Sequence, residues 1–268
     1  MPWLRKVLVT ELLLLENQLP WFVLHRLFNL TRADIRDPQN RSLANLVQDY
    51  FYWNALRTTG IEVNATIEYK HLLDLQRNLI LSRGEDANGG FLAIPCVTDL
   101  LKAGIDFAVG ETEALVKITF RNGILTIPPL VILENAESLI RNLVAYDQCD
   151  KSLRDKITGY FAFLDNLIKS SEDVEYLREK GIVSFYLSAE EVSSFFNRLY
   201  DYAHIENYPY RKISDEVNAY YKSRWPQWRA MLLRDIFNTP CSTIAFFAAT
   251  AILILTFLQT VYAIRYHY

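Results

Sequence analysis

From Pro240 to Ile264 the chain runs for twenty-five residues without Asp, Glu, Lys, Arg or His. The stretch reads PCSTIAFFAATAILILTFLQTVYAI and ends four residues before the C-terminus. As a helix rising ~1.5 Å per residue, it is long enough to cross a hydrocarbon core of about 30 Å with some tilt. Each Leu, Ile or Phe near its centre favours insertion by roughly 0.3–0.6 kcal/mol. The sequence therefore predicts one C-terminal transmembrane helix over 240–264, in contact with membrane lipid, and a short tail over 265–268.

Residues 1–239 suffice for one sizeable domain or two small ones. At 51% hydrophobic and 22% charged residues, the chain is neither disordered in bulk nor a multi-pass channel. A net charge of −3 argues against a broad nucleic-acid surface. Three cysteines, Cys96, Cys149 and Cys241, offer neither a disulfide framework nor a metal-ligand spacing. Asn-x-Ser/Thr triplets begin at Asn29, Asn40 and Asn64. They are read as chance triplets in a cytosolic protein, and their glycosylation would reverse the topology.

The opening MPWLRKVLVTELLLLENQLPWF places basic residues before an apolar run, as a signal peptide does. Glu11 interrupts that run and no small-x-small cleavage site follows, so a buried helix is expected. Lys222, Arg224, Arg229 and Arg234 precede the apolar span, and Arg265 alone follows it. That bias predicts a single-pass protein with its N-terminal domain in the cytosol. Endomembrane and plasma membrane fit equally.

Helical spacing is dense over residues 4–16, and Gln18-Leu19-Pro20 marks a break, with Pro20 suited to a first helical position. Trp21, Leu24, Leu27 and Phe28 are expected to face a core, and Asp37-Pro38 to end that element. Leu43, Leu46, Val47, Tyr50 and Phe51 form a second stripe, with Asn54 and Arg57 beyond it. Tyr69 to about Leu81 forms a third. After a polar loop at Glu85–Gly90, Gly104–Val109, Val116–Phe120 and Ile124–Ile127 read as short strands. Asn122-Gly123 is a hairpin turn signal, and Pro128-Pro129 closes the last strand or places it at an edge.

Helical periodicity returns through Ser138–Tyr146 and Ile157–Ile168. Ser171 with Glu172 and Asp173 suits a helix start, and Gly181 its stop. Ser188 and Glu191 have capping-box spacing ahead of the stripe Val192, Phe195, Phe196 and Leu199. Pro209 precedes a final amphipathic segment, about Ser214–Phe237, in which Pro226 marks a kink or a new start. Trp225, Trp228 and Phe237 suit either a headgroup region or packing on the domain.

The expected architecture is mostly α-helical (α+β). It comprises a helical domain over 1–213 with a small antiparallel sheet at about 104–131, an amphipathic juxtamembrane helix over 214–239, and the transmembrane helix.

Candidate chemistry is scattered. Cys96 and Cys149 are the possible nucleophiles, His71 and His204 the possible bases, and Asp99, Glu111, Glu113 and Asp147 the possible acids. Nucleophilic or acid–base catalysis needs such groups within hydrogen-bond reach, which separation along the chain does not establish. Buried structural cysteines, and surface or hydrogen-bonded histidines, are the simpler reading. Gly84–Gly90 is flexible, but it lacks the Lys-Ser/Thr of a phosphate loop and is acidic. Glu190-Glu191 and the pair Asp147/Asp150 have no histidine at ligand spacing. No catalytic, cofactor-binding or metal-binding residue, and no cofactor, is assigned.

The run Leu12–Leu24, with Asn17-Gln18-Leu19-Pro20-Trp21 at its centre, resembles the large plant family known as domain of unknown function 247, or uncharacterised protein family 0481. Also similar are Phe120–Gly123 with Ile127–Leu130, Glu137–Leu143, Asp165–Ile168, Asp173-Val174, Phe195–Leu199, and Arg224 through Tyr262 with its Arg234-Asp235 pair. These blocks follow the family's order over nearly the whole chain. The resemblance implies membrane association, no established catalytic residues, and, in some grass relatives, a link to self-incompatibility. It also implies a further N-terminal region with a Pro-Tyr-His-His-Gly-like segment, which has no counterpart here. On that ground the chain is expected to be an N-terminally shortened member. The functional expectation is a membrane-anchored interaction or recognition module without catalysis, binding an unknown protein partner. The alternative is an enzyme of unknown reaction class at a membrane surface. Ala248, Ala249 and Ala251, with Thr243, Thr250, Thr256, Gln259 and Thr260, allow a homo-oligomer through the span.

Overall fold

A computed structural model describes residues 2–32, 39, 41–52, 68–81, 89–111, 116–133, 136–199, 204–223 and 240–266. The fold is largely α-helical with two small sheets. The helices are α1 (Pro2–Leu12), α2 (Trp21–Thr31), α3 (Leu43–Tyr52), α4 (Leu72–Ile80), α5 (Val97–Lys102), α6 (Ala136–Cys149), α7 (Lys156–Leu167), α8 (Ser171–Glu179), α9 (Ala189–Leu199), α10 (Arg211–Lys222) and α11 (Pro240–Tyr266). The strands are β1 (Asp106–Val109), β2 (Thr119–Arg121), β3 (Ile124–Ile127), β4 (Leu130–Ile132) and β5 (Val183–Phe185).

The Asn122-Gly123 turn forms as expected. Both residues have positive φ, 52° and 79°, as a two-residue hairpin turn between right-twisted strands requires. It joins β2 to β3 in antiparallel register, with Phe120 opposite Leu125. The expectation of a purely antiparallel sheet is corrected, however. β1 runs parallel to β3, with Asp106 beside Ile124, giving the order β1-β3-β2. β4 and β5 form a separate parallel pair, with Leu130 beside Val183. Apolar alternation fixes which face of a strand is buried but carries no information about strand direction.

Gly104, expected in a strand, instead closes α5. Its φ of 83° lets the Gly104 N–H bond Leu101 O and the Ile105 N–H bond Leu100 O. Gly181 closes α8 in the same manner, as its position suggested. The α8 cap is Ser170 rather than Ser171. Its hydroxyl accepts the Asp173 N–H while the Asp173 carboxylate accepts the Ser170 N–H, a reciprocal box. The Ser188–Glu191 box forms as read. Pro20 sits just outside α2, one position before the first turn.

The core centres on α7, where every side chain from Ile157 to Ile168 is buried. α6 and α9 pack against it, bringing Ile140, Leu143, Val192, Phe195 and Phe196 inward. Tyr210 reaches into the same core, stacks near Phe163 and donates its hydroxyl to Val116 O at 2.7 Å. α10 closes over β2 through Phe120 and Tyr220 and buries Val217. Trp21, Phe28 and Phe51 face inward as expected, but Leu27 is half-exposed. α1 buries only part of its surface: Val9 and Leu13 are inside, while Leu4, Val7, Leu8 and Leu12 face outward. The expectation of a fully buried N-terminal helix is thus corrected.

Asp37-Pro38, Asn54, Arg57, Glu113, Trp225, Pro226, Trp228 and Phe237, together with Arg224, Arg229, Arg234, Asn40 and Asn64, lie outside the described residues.

Candidate functional site

Two of the reactive side chains singled out in the sequence, His71 and Asp147, border one polar network between α4 and α6. Asp147, fully buried on α6, accepts from Arg77 Nε at 3.1 Å and from the amides of Ile157 and Thr158 at 2.9 and 3.1 Å. The Thr158 hydroxyl adds a fourth contact at 3.3 Å. Arg77 also donates to Leu153 O at 2.9 Å. One carboxylate therefore neutralises a buried guanidinium and satisfies free amides at the start of α7. Burial pushes the Asp147 carboxyl above its ordinary value, with Arg77 and the amides opposing that shift. With its lone pairs engaged by these donors, Asp147 acts as a clamp between three segments rather than as a free base.

His71 caps α4. Its Nδ1 accepts the Asp74 N–H at 3.2 Å, and its ring packs edge-on to Tyr146, centroids 4.7 Å apart. The Tyr146 hydroxyl donates to Asp74 Oδ1 at 3.2 Å, while Asp74 Oδ2 accepts the Lys70 N–H at 3.0 Å. Burial lowers the His71 pKa, with Asp74 pulling the other way, and burial followed by the Asp74 charge raises that of Tyr146. The nearby Gln18 accepts the Leu73 N–H at 2.9 Å, and the Trp21 N–H bonds Lys70 O at 2.8 Å. The network ties the Asn17–Trp21 segment to α4, and Leu15 N–H to Asn142 on α6 at 2.7 Å. No sequence signal joined Arg77 to Asp147, since seventy residues separate them.

The other candidates are dispersed. Cys96 occupies the position before α5 without a side-chain capping bond, is only partly buried and contacts the Thr98 hydroxyl at 3.2 Å, and Asp99 pairs with Lys102 at 2.9 Å. Cys149 ends α6 and is exposed, which corrects the expectation of a buried cysteine. The His204 N–H donates to Gln148 at 3.1 Å, and Glu111 is exposed. At the end of the glycine-containing loop, Gly89 O accepts the Tyr208 N–H and Gly90 O accepts from Arg211. Among the described residues, no group of His, Cys, Asp and Glu is arranged to hold a metal ion.

A cleft of about 400 Å³ opens where β4 meets α6 and α9. Ile132, Val192 and Phe195 supply apolar lining, and Glu190 and Arg198 supply charge. Glu137, also on its wall, pairs with Arg141, whose guanidinium lies over the Phe195 ring. This lining combines an apolar floor with a polar rim, as sites for small apolar groups do.

α11 is the second notable feature. Its described side chains, Ile244 and residues 248–265, are all exposed. It is long and apolar enough to cross a membrane, with mean hydropathy 1.5 over Ala248–Arg265. The Thr256 hydroxyl bonds Ile252 O and the Thr260 hydroxyl bonds Thr256 O, each at 2.8 Å, so both are satisfied within the helix.

Together these features define a largely helical domain carrying an apolar C-terminal helix. The chain belongs to the DUF247 family, described as "Plant protein of unknown function", whose model matches residues 1–255. It is 25% identical to the UPF0481 protein At3g47200 of Arabidopsis thaliana, over 98% of this chain and 61% of that protein. It is 32% identical to a second UPF0481 protein of that plant, At3g02645, over 63% of this chain and 32% of that protein. The chain therefore spans less than two thirds of the length of either relative. No solved structure matches it.

Proposed function

We propose that this protein is a membrane-anchored interaction module. α11 crosses the bilayer once, and the domain, which extends through α10 to Lys222 and so takes in the start of the segment expected to be juxtamembrane, faces the cytosol and binds a protein partner without catalysis. The observation that carries this reading is the exposure of α11: an apolar helix of twenty-seven residues with no protein covering its described side chains. Leaving such a surface in water is unfavourable by roughly 25 cal/mol per Å² of apolar area, and lipid removes that cost. The cationic residues before the span and lone Arg265 after it orient the domain to the cytosol. The cleft between α6 and α9 offers the partner an apolar floor.

Deleting 240–268 tests the reading. The full chain should stay with membranes through alkaline washing, and the deleted chain should move to the soluble fraction. A deleted chain that still fractionates as an integral protein would overturn the anchor.

A further inference from the structure

The polar side chains of α11 divide into two kinds. The Thr256 and Thr260 hydroxyls each bond a carbonyl one turn back, so neither needs a partner from outside the helix. Gln259 stands between them and is exposed, and among the described residues nothing bonds its amide. Six positions separate Gln259 from Arg265, about 9 Å of helix. Helical side chains lean toward the N-terminus, so this amide is directed to the bilayer centre and away from the headgroups around Arg265. An amide without a partner at that depth is unfavourable, and a hydrogen bond between spans removes the penalty.

The amide also selects the partner. It carries N–H donors and a carbonyl acceptor, so two such groups satisfy each other. Copies of one chain insert in one orientation, which brings Gln259 opposite Gln259 at equal depth about a two-fold axis. A different span would need its own amide at that level. Ala248, Ile252, Leu255, Gln259 and Tyr262 follow at intervals of four and three, the spacing of a left-handed helix pair. All five are exposed. Ala248 leaves room for close approach, and a single polar residue in such a seam fixes register, as asparagine does in coiled coils. Arg265, the one charged residue of the helix, falls outside this series and at the membrane surface, where salt screens repulsion between copies.

We propose that α11 pairs in parallel with α11 of a second copy, through a hydrogen bond between the two Gln259 amides in that seam. This rests on the reading of α11 as a membrane helix. It is independent of what covers the surface of the domain.

The full chain, with its three cysteines replaced by serine, is purified and reconstituted into phosphatidylcholine vesicles that hold no other protein. A cysteine is placed at 255, in the seam, or at 257, on the opposite side of the helix. Oxidative cross-linking is then measured with Gln259 intact and in Gln259→Leu, and retention through an alkaline wash is read on the same vesicles. Cross-linking at 255 should exceed that at 257 by about threefold or more, and Gln259→Leu should lower the 255 product by a similar factor. Retained chain that cross-links equally at both positions, or at 255 regardless of Gln259→Leu, would overturn the pairing and leave the membrane helix standing. Retained chain with no product at 255 would show that a second copy does not meet this face, which also overturns the pairing. Chain stripped from the vesicles by the wash would overturn both.

Discussion

Two helices of this protein are apolar around most of their circumference, and they meet opposite fates. α7 is twelve residues long and enclosed by its own domain from Ile157 onward, while α11 is twenty-seven residues long and exposed along its described length. The difference lies in how each handles its polar groups. α7 carries Thr158 and Asp165, which rely on residues outside the helix, Asp147 and Gln148 for Thr158 and Lys169 for Asp165, while Asn166 bonds the Ala162 carbonyl of its own helix. α11 has no charge between Pro240 and Ile264, and its Thr256 and Thr260 hydroxyls return to its own backbone. A buried charge that relies on outside partners suits a protein interior, and an uncharged apolar helix is compatible with lipid.

The two helices should therefore break independently. The largest effect is expected from Asp147→Ala, which leaves Arg77 buried without its counter-charge and the first amides of α7 without their acceptor. A loss of about 3–5 kcal/mol is expected in chemical denaturation of the detergent-solubilised chain, with membrane partition retained. In the mirror experiment, Ile254→Asp puts a carboxylate in the middle of the span, exchanging a favourable residue for one opposed by about 3 kcal/mol. Insertion into microsomes should fall more than tenfold while the domain's unfolding transition stays in place. If either substitution moved both readouts, the separation drawn here would be wrong.

Gly159→Ala should have a middling effect. A Cβ there would stand 2.5 Å from Pro209 Cδ, so α7 and the segment before α10 are packed closer than a methyl allows. A destabilisation of about 1–3 kcal/mol is expected, measured by denaturant midpoint.

The smallest effect is one of pH. The His71 ring caps α4 only while neutral, because a protonated Nδ1 is a donor and cannot accept the Asp74 N–H. Burial holds the folded-state pKa below the ordinary value of 6.5. The resulting stabilisation is present above that ordinary value and is lost as pH falls through the depressed folded one. Stability should thus decline on mild acidification by less than an ordinary cap is worth, since the ring is partly solvated. His71→Asn, whose side chain accepts at any pH, should flatten that part of the profile.

Local features were legible in the sequence, and long-range ones were not. Asn122-Gly123, the Ser188–Glu191 box, Gly181 and the stripe through Val192, Phe195, Phe196 and Leu199 each depend on residues a few positions apart, and each formed as read. Ser170 was missed for its neighbour Ser171, although its three-residue spacing to Asp173 matches a capping box. The parallel pairings of β1 with β3 and of β4 with β5 left no mark, because alternation is the same in either direction. The outward stripe of α1 was read as core, since periodicity shows that a helix is amphipathic but not what covers its apolar face.

The most direct test of the central claim is protease protection in sealed microsomes carrying the full chain with an epitope after Tyr268. The account predicts that added protease removes the domain while the epitope and α11 survive as a small protected fragment, lost once detergent opens the vesicles. Recovery of the intact chain in the aqueous fraction without detergent, or digestion of the epitope together with the domain, would contradict it.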